Sequence, residues 1–489
     1  MGKKLFLFLL LAAALLGSVL LFNTLRSKPW PLHKAAVLEP LPDSAILHMS
    51  RAIRIATVSP EDTLHIDSVH FNQFRLFLEQ SYPLIHQQLS RTVIKDYSYV
   101  YEWKGTDSTL NPIVLMGHYD VVPVEPSAVK LWTVQPFGGE IKDSIIWGRG
   151  AVDDKAAVIS ILEAAEQLLK KGFQPVRTIL LCFGHNEEST GTGAIATVDY
   201  LQKRKIRADM VIDEGGEITT GKMKDVKRPI AMIGVAEKGY VTFELAVQKP
   251  GGHSSKPAKE TAIDILAAAL YKLRTVQMPF HLTDPVKEFL HRVSGSSDNF
   301  LNRTALSNMW LFSPAVQQTL AKTPEGEAML RTTIVPTILE SGIRENVIPT
   351  NAKAIVNSRI LTGETTRQVQ DFIKNAINDE RVTITIKGDF NTEPSPLTDI
   401  HSSAFRIMEE AVYQTLDDVI PVPYTMLGAS DSRNYRSISN GVINFTPLVN
   451  SKGFHGIDER LPVRDFQRSI NFFTSIIRES GKPIAATGQ

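Results

Sequence analysis

The sequence is poor in cysteine, has almost no excess of either charge, and contains only one long apolar run. Cys182 is the single cysteine among 489 residues, so no disulfide can form within the chain. The 53 lysines and arginines nearly balance the 52 aspartates and glutamates, and the net charge is +1. Proteins that bind nucleic acid by neutralising phosphates carry an excess of basic residues, so we expect no nucleic-acid partner.

The one long apolar run lies at the N-terminus. Residues 5–22 carry no charge, and basic residues stand on both sides of them. This length is close to the roughly 20 residues that span a bilayer, and no Ala-x-Ala cleavage pattern follows it. We therefore predict an uncleaved signal-anchor in residues 1–29, the only part that contacts the membrane, with the rest of the protein outside the cytosol. Cleavage would instead give a secreted or periplasmic protein. The proline-rich residues 30–43 are predicted to be a linker.

The first half of the chain after this linker alternates short apolar strands with helices. A chain of 489 residues exceeds the usual size of one hydrophobic core, which favours two domains. The predicted elements are a helical region at 43–89, a strand at 92–103, a strand at 111–116, a helix at 154–169, a strand at 178–183, a helix at 193–203 and a strand at 209–213. This order predicts an α/β domain whose mostly parallel sheet has helices on both faces. In such sheets ligands bind beyond the carboxyl ends of the strands.

The pattern changes near Glu237. The predicted elements are a strand at 240–248, a helix at 261–275, strands at 332–340 and 354–361, a helix at 363–378 and a strand at 382–387. The order strand-helix-strand-strand-helix-strand is that of a ferredoxin-like α+β domain. Because the chain then returns to a helix at 402–416 and an apolar strand at 441–445, the second domain is predicted to be inserted into the first.

The predicted boundaries follow from this insertion. The catalytic domain comprises 44–236 and 390–489, and the inserted lid or dimerisation domain, here called the lid domain, comprises 237–389. The connection at 278–330 is long and rich in aromatic residues. It could form an apolar wall for a long acyl chain or belong to the core of the lid domain.

Polar residues cluster at the ends of the predicted strands. His118 and Asp120 follow the strand at 111–116, and they point to the same side because they are two residues apart. Glu187 and Glu188 follow the strand at 178–183, and as neighbours in extended backbone they point to opposite sides. One carboxylate could therefore hold a metal while the other acts as a base. A solvent-exposed acidic turn is the alternative for that pair taken alone.

Further hard ligands come from other loops. The stretches that supply them are Asp153-Asp154, Asp213-Glu214 and His455 through Glu459. Two histidines with several carboxylates suit zinc, and a pair of metals about 3.5–4 Å apart suits amide hydrolysis. Taken singly each motif is weak, but their common position at strand ends or in glycine-rich loops predicts a metal site.

In this order the motifs resemble those of the di-zinc aminoacylase and carboxypeptidase family. Within that family they are most similar to the carboxypeptidase S and N-fatty-acyl-amino-acid synthase/hydrolase group. The matching stretches are Gly117–Pro123, Gly148–Lys155, Asn186–Gly191, Val211–Gly216, Glu237–Gly239, Gly252–Ser255, Asn346–Pro349, Asp431–Arg433 and His455–Glu459. The resemblance covers the chain from about residue 45 to its end.

The resemblance implies two Zn²⁺ ions in each subunit. The implied ligands are His118 and Asp213 on one ion, Glu188 and His455 on the other, and Asp153 bridging both. It also implies a cis peptide bond after Asp153. Asp120 becomes the carboxylate that orients a ligand histidine, and Glu187 becomes the general base. Co²⁺ or Mn²⁺ would suit the same oxygen and imidazole ligands.

The resemblance also implies four substrate-binding residues. They are His253, Asn346, Arg359 and Gly428. His253 would stabilise the oxyanion from the lid domain of a partner subunit, which predicts a homodimer through that domain. An arginine fork suits a carboxylate, so the expected substrate is an N-acyl amino acid, including long-chain acyl forms, in a reaction that could also run toward synthesis. A carboxypeptidase S-like carboxypeptidase or a dipeptidase is the alternative.

Two other classes fit the residues less well. A non-catalytic homologue acting as a binding protein would be expected to lack Glu187 or a ligand, and none of these residues is missing. A serine hydrolase would need a glycine after the nucleophile, which the stretch 428–432 does not provide.

Overall fold

The structure, a computed structural model, describes residues 2–60, 66–388 and 390–481. Its helices are α1 (Gly2–Arg26), α2 (Asp43–Arg54), α3 (Ser68–Ser81), α4 (Pro83–Gln88), α5 (Lys155–Lys170), α6 (Thr192–Lys203), α7 (Ala262–Thr275), α8 (Asp284–Ser294), α9 (Phe300–Ser307), α10 (Met309–Leu320), α11 (Pro324–Leu330), α12 (Thr366–Ile377), α13 (Ser403–Thr415) and α14 (Val463–Glu479). Short 3-10 segments lie at Val129–Leu131 and Asp431–Ser437.

The strands form one large sheet, the sheet of the lid domain and two small sheets. They are β1 (Ser90–Ile94), β2 (Ser98–Trp103), β3 (Ile113–His118), β4 (Glu140–Lys142), β5 (Ile145–Trp147), β6 (Ile179–Gly184), β7 (Met210–Thr219), β8 (Ile230–Glu237), β9 (Gly239–Gln248), β10 (Gly252–His253), β11 (Thr333–Ser341), β12 (Val347–Ile348), β13 (Asn351–Ile360), β14 (Val382–Ile386), β15 (Ile420–Met426), β16 (Val442–Val449) and β17 (Arg460–Pro462).

The large sheet has eight strands in the order β1-β2-β6-β3-β7-β16-β8-β15. The pairs β3–β6, β3–β7, β7–β16 and β8–β15 are parallel, whereas β1 and β2 form an antiparallel edge. Every residue of β3 is buried, as expected of a strand with helices on both faces. One hydrophobic cluster joins α5, α13 and α14 to one face, and a second joins α6 to the other. The predicted α/β fold is confirmed.

Two predictions about the first elements are wrong in detail. The helical region predicted at 43–89 contains the separate helices α2, α3 and α4, and its residues 61–65 lie outside the described part of the chain. Pro83 occupies the first turn of α4, a position that proline favours because the missing N–H has no partner there. The strand predicted at 92–103 is a hairpin, since Lys95 and Asp96 adopt left-handed backbone and reverse the chain.

The inserted segment contains a four-stranded antiparallel sheet in the order β11-β13-β9-β14. This is the predicted ferredoxin-like arrangement. Its helices α7 and α12 begin at capping boxes, in which Thr261 exchanges hydrogen bonds with Asp264 and Thr365 with Gln368. Their apolar faces pack on this sheet in a hydrophobic core separate from that of the large sheet.

Helices α8 to α11 pack elsewhere. Val286, Phe289 and Val293 of α8 contact Ile420 and Val422 of β15, at the edge of the large sheet. Apart from Met278, the aromatic-rich connection 278–330 therefore does not contribute to the core of the lid domain. It extends the catalytic side of the molecule instead.

Candidate metal centre and active site

The candidate ligands converge at the carboxyl ends of the parallel strands. His118 ends β3, and Glu188 lies in the turn that follows β6. Glu214 lies just beyond Ile212, the last residue of β7 that pairs with β3. Parallel strands bring their carboxyl ends to one edge of the sheet, so residues distant in sequence meet there.

The ligands form two clusters that share Asp153. In the first, His118 Nε2 lies 3.1 Å from Asp153 Oδ1 and 3.3 Å from Glu214 Oε1. In the second, His455 Nε2 lies 2.7 Å from Asp153 Oδ2 and 3.1 Å from Glu188 Oε2. Within each cluster the ligand atoms all lie within 4.8 Å of one another. Asp153 thus offers one carboxylate oxygen to each cluster, as a bridging ligand does.

Several polar atoms of the residues in these clusters lack a hydrogen-bond partner within the part of the chain that the structure describes. His118 Nε2, Asp153 Oδ2 and Glu188 Oε1 are buried and have no hydrogen-bond partner among the described residues, although ion-pair distances between the residues are short. Buried polar atoms without partners are uncommon. Buried nitrogen and oxygen atoms without partners are expected where a cation is held, and the histidine and carboxylate donors suit zinc.

Asp213, which was predicted to be a ligand, lies outside both clusters. Its Oδ2 accepts hydrogen bonds from Ser430 Oγ at 2.8 Å and from the Ser432 N–H at 2.9 Å. Adjacent residues of an extended strand point to opposite sides, so Glu214, the next residue of β7, faces His118 instead. The structure therefore places Glu214, rather than the predicted Asp213, among the candidate ligands near His118.

Asp120 joins the ligand histidine to the turn after β6. Its two carboxylate oxygens accept hydrogen bonds from the N–H groups of Glu187 at 3.2 Å and Glu188 at 3.1 Å. Ser59 Oγ also donates to this carboxylate at 2.7 Å. His118 Nδ1 lies 3.1 Å from the carbonyl oxygen of Asp120 and 3.4 Å from its carboxylate. A proton held on Nδ1 leaves Nε2 free to bind a metal.

Glu187 lies beside the ligands without belonging to either cluster. Burial raises the pKa of Glu187 well above its usual range, and the negative charges of Asp431, Glu188 and Asp120 add to this effect while His118 opposes it. A carboxyl group with a raised pKa holds a proton more readily than an exposed one, and such a group can accept a proton and return it during a reaction. The position and the environment of Glu187 therefore suit a general base.

The loop that carries Asp153 is built around the carboxylate of Glu459. This carboxylate accepts hydrogen bonds from the N–H groups of Gly150, Val152 and Asp153 at 2.7–3.0 Å, and from the guanidinium of Arg149 at 2.7 Å. Glu459 is fully buried and follows His455 by four residues, so it couples the two loops. The peptide bond after Asp153 is cis, as the resemblance implied.

Two of the predicted substrate-binding residues meet at one end of the lid domain. His253 pairs with Val347 between β10 and β12, and the carbonyl of Asn346 accepts a hydrogen bond from the N–H of Ser254. The imidazole of His253 is exposed and bonds only to Ser255 among the described residues. Within one chain, His253 therefore does not contact the metal ligands.

Arg359 lies at the other end of β13, next to the catalytic domain. Eight residues separate it from the start of that strand at Asn351, which at about 3.4 Å per residue is about 27 Å. Its guanidinium stacks over Tyr240, with 4.8 Å from the central carbon to the ring centroid. One small substrate could not contact both Arg359 and the His253 of the same chain. Gly428 lies in the exposed loop after β15, with open space beside it.

Arg433 is a candidate residue to which the sequence assigned no role. Its guanidinium lies 4.7 Å from the ring centroid of Phe390, which packs edge-on against Tyr240. It also approaches Gly191, at the end of the turn that carries Glu187. Burial lowers the pKa of Arg359, and the positive charge of Arg433 contributes to that shift. In the described part of the chain neither arginine forms an ion pair, so the two cations leave a place for an anion.

Comparison with known proteins identifies the family. Residues 114–479 match the model of peptidase family M20/M25/M40. The chain belongs to this family. It is 36% identical to a probable carboxypeptidase S-like 2 of Dictyostelium discoideum, over 89% of this chain and 84% of that protein. It is 33% identical to the N-fatty-acyl-amino acid synthase/hydrolase PM20D1 of Xenopus tropicalis, over 96% of this chain and 95% of that protein.

A solved M20 structure has the same fold. The M20 family metallo-carboxypeptidase Sso-CP2 of Sulfolobus solfataricus aligns with a TM-score of 0.65 at 19% identity, covering 89% of this chain and 99% of that one. The resemblance inferred from the motifs is confirmed, and the chain is a hydrolase of the metallopeptidase type.

Proposed function

We propose that this M20 hydrolase cleaves an amide bond next to a free carboxylate, with N-acyl amino acids as its substrates. The observation that carries the proposal is the pair of ligand clusters sharing Asp153, with Glu187 beside them. Arg359 and Arg433, which form no ion pair with any described residue, lie nearby. The first group of residues suits amide hydrolysis, and the second suits recognition of a carboxylate.

Two zinc ions fit the clusters best. His118 and Glu214 would hold one, Glu188 and His455 the other, and Asp153 would bridge them. Co²⁺ or Mn²⁺ would suit the same donors. When bound, such metals polarise a carbonyl oxygen and lower the pKa of a water molecule.

Glu187 supplies the proton transfers. Its carboxylate takes a proton from the attacking water and returns it to the nitrogen of the leaving amine. Asp120 fixes the backbone of Glu187 and the orientation of His118 at once, so that the base and the ligand keep their relative position. The raised pKa of the buried Glu187 carboxyl group suits both the uptake of this proton and its return.

The substrate carboxylate binds between Arg359 and Arg433. A guanidinium donates two parallel hydrogen bonds to a carboxylate, and the aromatic faces of Tyr240 and Phe390 hold the two guanidinium planes. Arg359 comes from the lid domain and Arg433 from the catalytic domain, so substrate binding would draw the two domains together.

A homodimer through the lid domain completes the site. His253 and Asn346 lie too far from Arg359 to act in their own subunit, so we infer that His253 of the partner subunit stabilises the oxyanion. The edge strand β11 supports this arrangement, since its apolar residues Val335, Ile338 and Leu339 are exposed. An exposed edge strand is a natural place for another chain to pair.

The names of the relatives support a substrate with a free carboxylate. The Xenopus tropicalis protein is described as an N-fatty-acyl-amino acid synthase/hydrolase, and the Dictyostelium discoideum protein as a probable carboxypeptidase. The match to the Xenopus tropicalis protein covers more of both chains than the match to the Dictyostelium discoideum protein. This favours N-acyl amino acids as substrates, in a reaction that can also run toward synthesis. Carboxypeptidase or dipeptidase activity is the second candidate, favoured by the higher identity to the carboxypeptidase S-like protein.

A hydrolysis screen tests the proposal. The purified chain, loaded with Zn²⁺, is assayed against N-acyl amino acids of increasing acyl length, the same compounds with an amidated carboxylate, and dipeptides. We expect turnover of the free acids, little turnover of the amidated forms, and loss of activity on chelation with recovery when Zn²⁺ is returned. Equal turnover of free and amidated substrates would contradict the role of the arginines, and preference for dipeptides would favour the second candidate.

The N-terminal helix is proposed to remain as an anchor. In the described part of the chain α1 is the one helix long and apolar enough to span a bilayer. Its last turns are fixed to the protein, because Asn23 donates to the buried Asn308 at 2.8 Å and Thr24 is buried. This contact supports an uncleaved anchor, with the catalytic domain outside the cytosol. N-terminal sequencing of the protein from both the membrane fraction and the soluble fraction outside the cytosol tests it, since cleavage would remove the apolar run and release the protein from the membrane.

A further inference from the structure

We propose that helix α10 rests in the surface of the bilayer beside α1, and that this second contact sets the orientation of the catalytic domain on the membrane. The contacting residues are Trp310, Leu311, Pro314 and Ala315, here called the membrane-facing surface. This inference depends on α1 as an anchor and does not depend on the substrate or on the metals.

The base of α1 is attached to α9 and α10 by side chains. Asn308, between these two helices, accepts from Asn23 at 2.8 Å and donates to the carbonyl of Leu20 at 3.2 Å. Thr24 donates to Thr304 at 3.3 Å, and the guanidinium of Arg303 donates to the carbonyl of Ser27. By contrast, residues 2–19 of α1 are exposed, so that part of the helix projects away from the protein.

These contacts place the start of α10 at a definite depth. α9 runs antiparallel to the end of α1, because Arg303 contacts Ser27 and Asn308 contacts Leu20. The apolar run of α1 ends at Phe22. Asn308 therefore lies at the level where the apolar run ends, which is the level of the boundary between the lipid tails and the headgroups. α10 begins one residue later.

The exposed side of α10 has the composition of an interfacial surface. Trp310 is 63% exposed and Leu311 40% exposed, and Pro314 and Ala315 are exposed one turn later. The helix carries no charged residue over Met309–Leu320. Tryptophan is enriched at membrane–water interfaces, and apolar faces of interfacial helices enter the boundary by about 5–10 Å. The apolar surface of α1 thus continues onto α10.

The other side of this helical segment is fixed to the catalytic domain. Val316 of α10 shares a hydrophobic cluster with Val293 of α8 and Val422 of β15. The chain after α1 is also fixed to the catalytic domain. The indole N–H of Trp30 donates to the hydroxyl of Tyr413 at 2.9 Å, and the guanidinium of Arg292 stacks on the Trp30 ring. A bilayer that contacts both α1 and α10 would therefore hold the large sheet in one orientation.

Lipid quenching tests the proposal on the full chain. Leu311→Cys is labelled with an environment-sensitive fluorophore and reconstituted into phosphatidylcholine vesicles. Ile195→Cys on α6 is the control. It is also exposed, and α6 packs near β1, at the sheet edge opposite β15. With strands about 4.8 Å apart, the two edges lie about 34 Å apart. The native Cys182 is buried.

We expect lipids brominated near the top of the acyl chains to lower the fluorescence at position 311 at least about twofold, since interfacial side chains enter the boundary by about 5–10 Å. The control label should be quenched by aqueous iodide and not by the lipid. If the label at 311 behaved like that at 195, the proposal would be overturned. A blue shift at 311 without lipid quenching would indicate a second copy of the chain on this surface, and would overturn it as well. Trp310→Cys, labelled in the same way, provides an independent second position.

Discussion

The metal centre and the tip of the lid domain are built in opposite ways. At the metal centre, Asp120, Asp153 and Glu459 are buried, and the carboxylates of Asp120 and Glu459 each accept hydrogen bonds from several groups of other loops. At the tip, His253 is exposed and its imidazole bonds only to Ser255 among the described residues. The groups of the metal centre all come from a single chain. The imidazole of His253, by contrast, contacts none of the metal ligands of its own chain.

This difference separates groups that are fixed before the substrate binds from a group that approaches the substrate afterwards. Ligands need a fixed geometry before the metal arrives, and buried hydrogen bonds supply it. A group that approaches only when substrate is bound has to move, so it is drawn from an exposed and weakly held part of the structure. The predictions below test each side of this comparison, beginning with the largest expected effect.

Glu187→Gln should abolish most hydrolysis while leaving the metal centre intact. The amide keeps the size of the side chain and the N–H that binds Asp120, but it cannot accept the proton. We expect kcat to fall by about 10³-fold, with unchanged metal content by atomic absorption. Glu140→Gln, on the exposed strand β4, is the control. Near-normal turnover of the Glu187 variant would show that another group is the base.

Glu214→Ala and Asp213→Asn should separate the ligand from its neighbour. Loss of Glu214 removes a ligand, and we expect one of the two metals to bind more than about 100-fold more weakly, because groups that merely support a ligand are already worth about 10–100-fold. Asp213→Asn keeps an oxygen for Ser430 and should retain both metals. Metal titration of the two variants decides the assignment. The reverse result would return Asp213 to the ligand set.

His253→Ala should lower kcat by about 100-fold, the usual effect of removing one oxyanion donor, and should leave the metal content unchanged. If the histidine acts across the dimer, mixing this variant with Glu187→Gln should restore activity, because one site of the mixed dimer contains both residues. Each variant alone serves as the control. Persistent inactivity of the mixture, with subunit exchange demonstrated, would mean that His253 acts within its own chain.

Arg433→Ala should mainly weaken substrate binding. A hydrogen bond to a charged group contributes about 1.5 kcal/mol or more, so we expect KM for an N-acyl amino acid to rise about tenfold or more. The matched control is Arg204→Ala, which also removes a guanidinium stacked on an aromatic ring. Substrates with an amidated carboxylate should respond little to the change. An equal rise of KM for both kinds of substrate would indicate a structural role.

Much of the catalytic sheet could be predicted from local sequence. The strands that carry His118 and Glu187 are short apolar runs followed by polar residues, and buried parallel strands have this pattern. The order of elements in the lid domain was readable for the same reason, since period-two alternation and helix-length segments are local properties. β8, β15 and α14 were not predicted, although all three belong to the large sheet or cover it.

The sequence by itself determined which chemical groups are available and on which strand ends they stand. It could not choose between Asp213 and Glu214, because either carboxylate can face the ligands and only the register of β7 against β3 and β16 decides which one does. It also could not show that the rings of Tyr240 and Phe390, packed edge-on, bring Arg359 and Arg433 into one region, or that Asn308 binds the end of α1. Such residues lie far apart along the chain, and their proximity depends on how the elements pack in three dimensions.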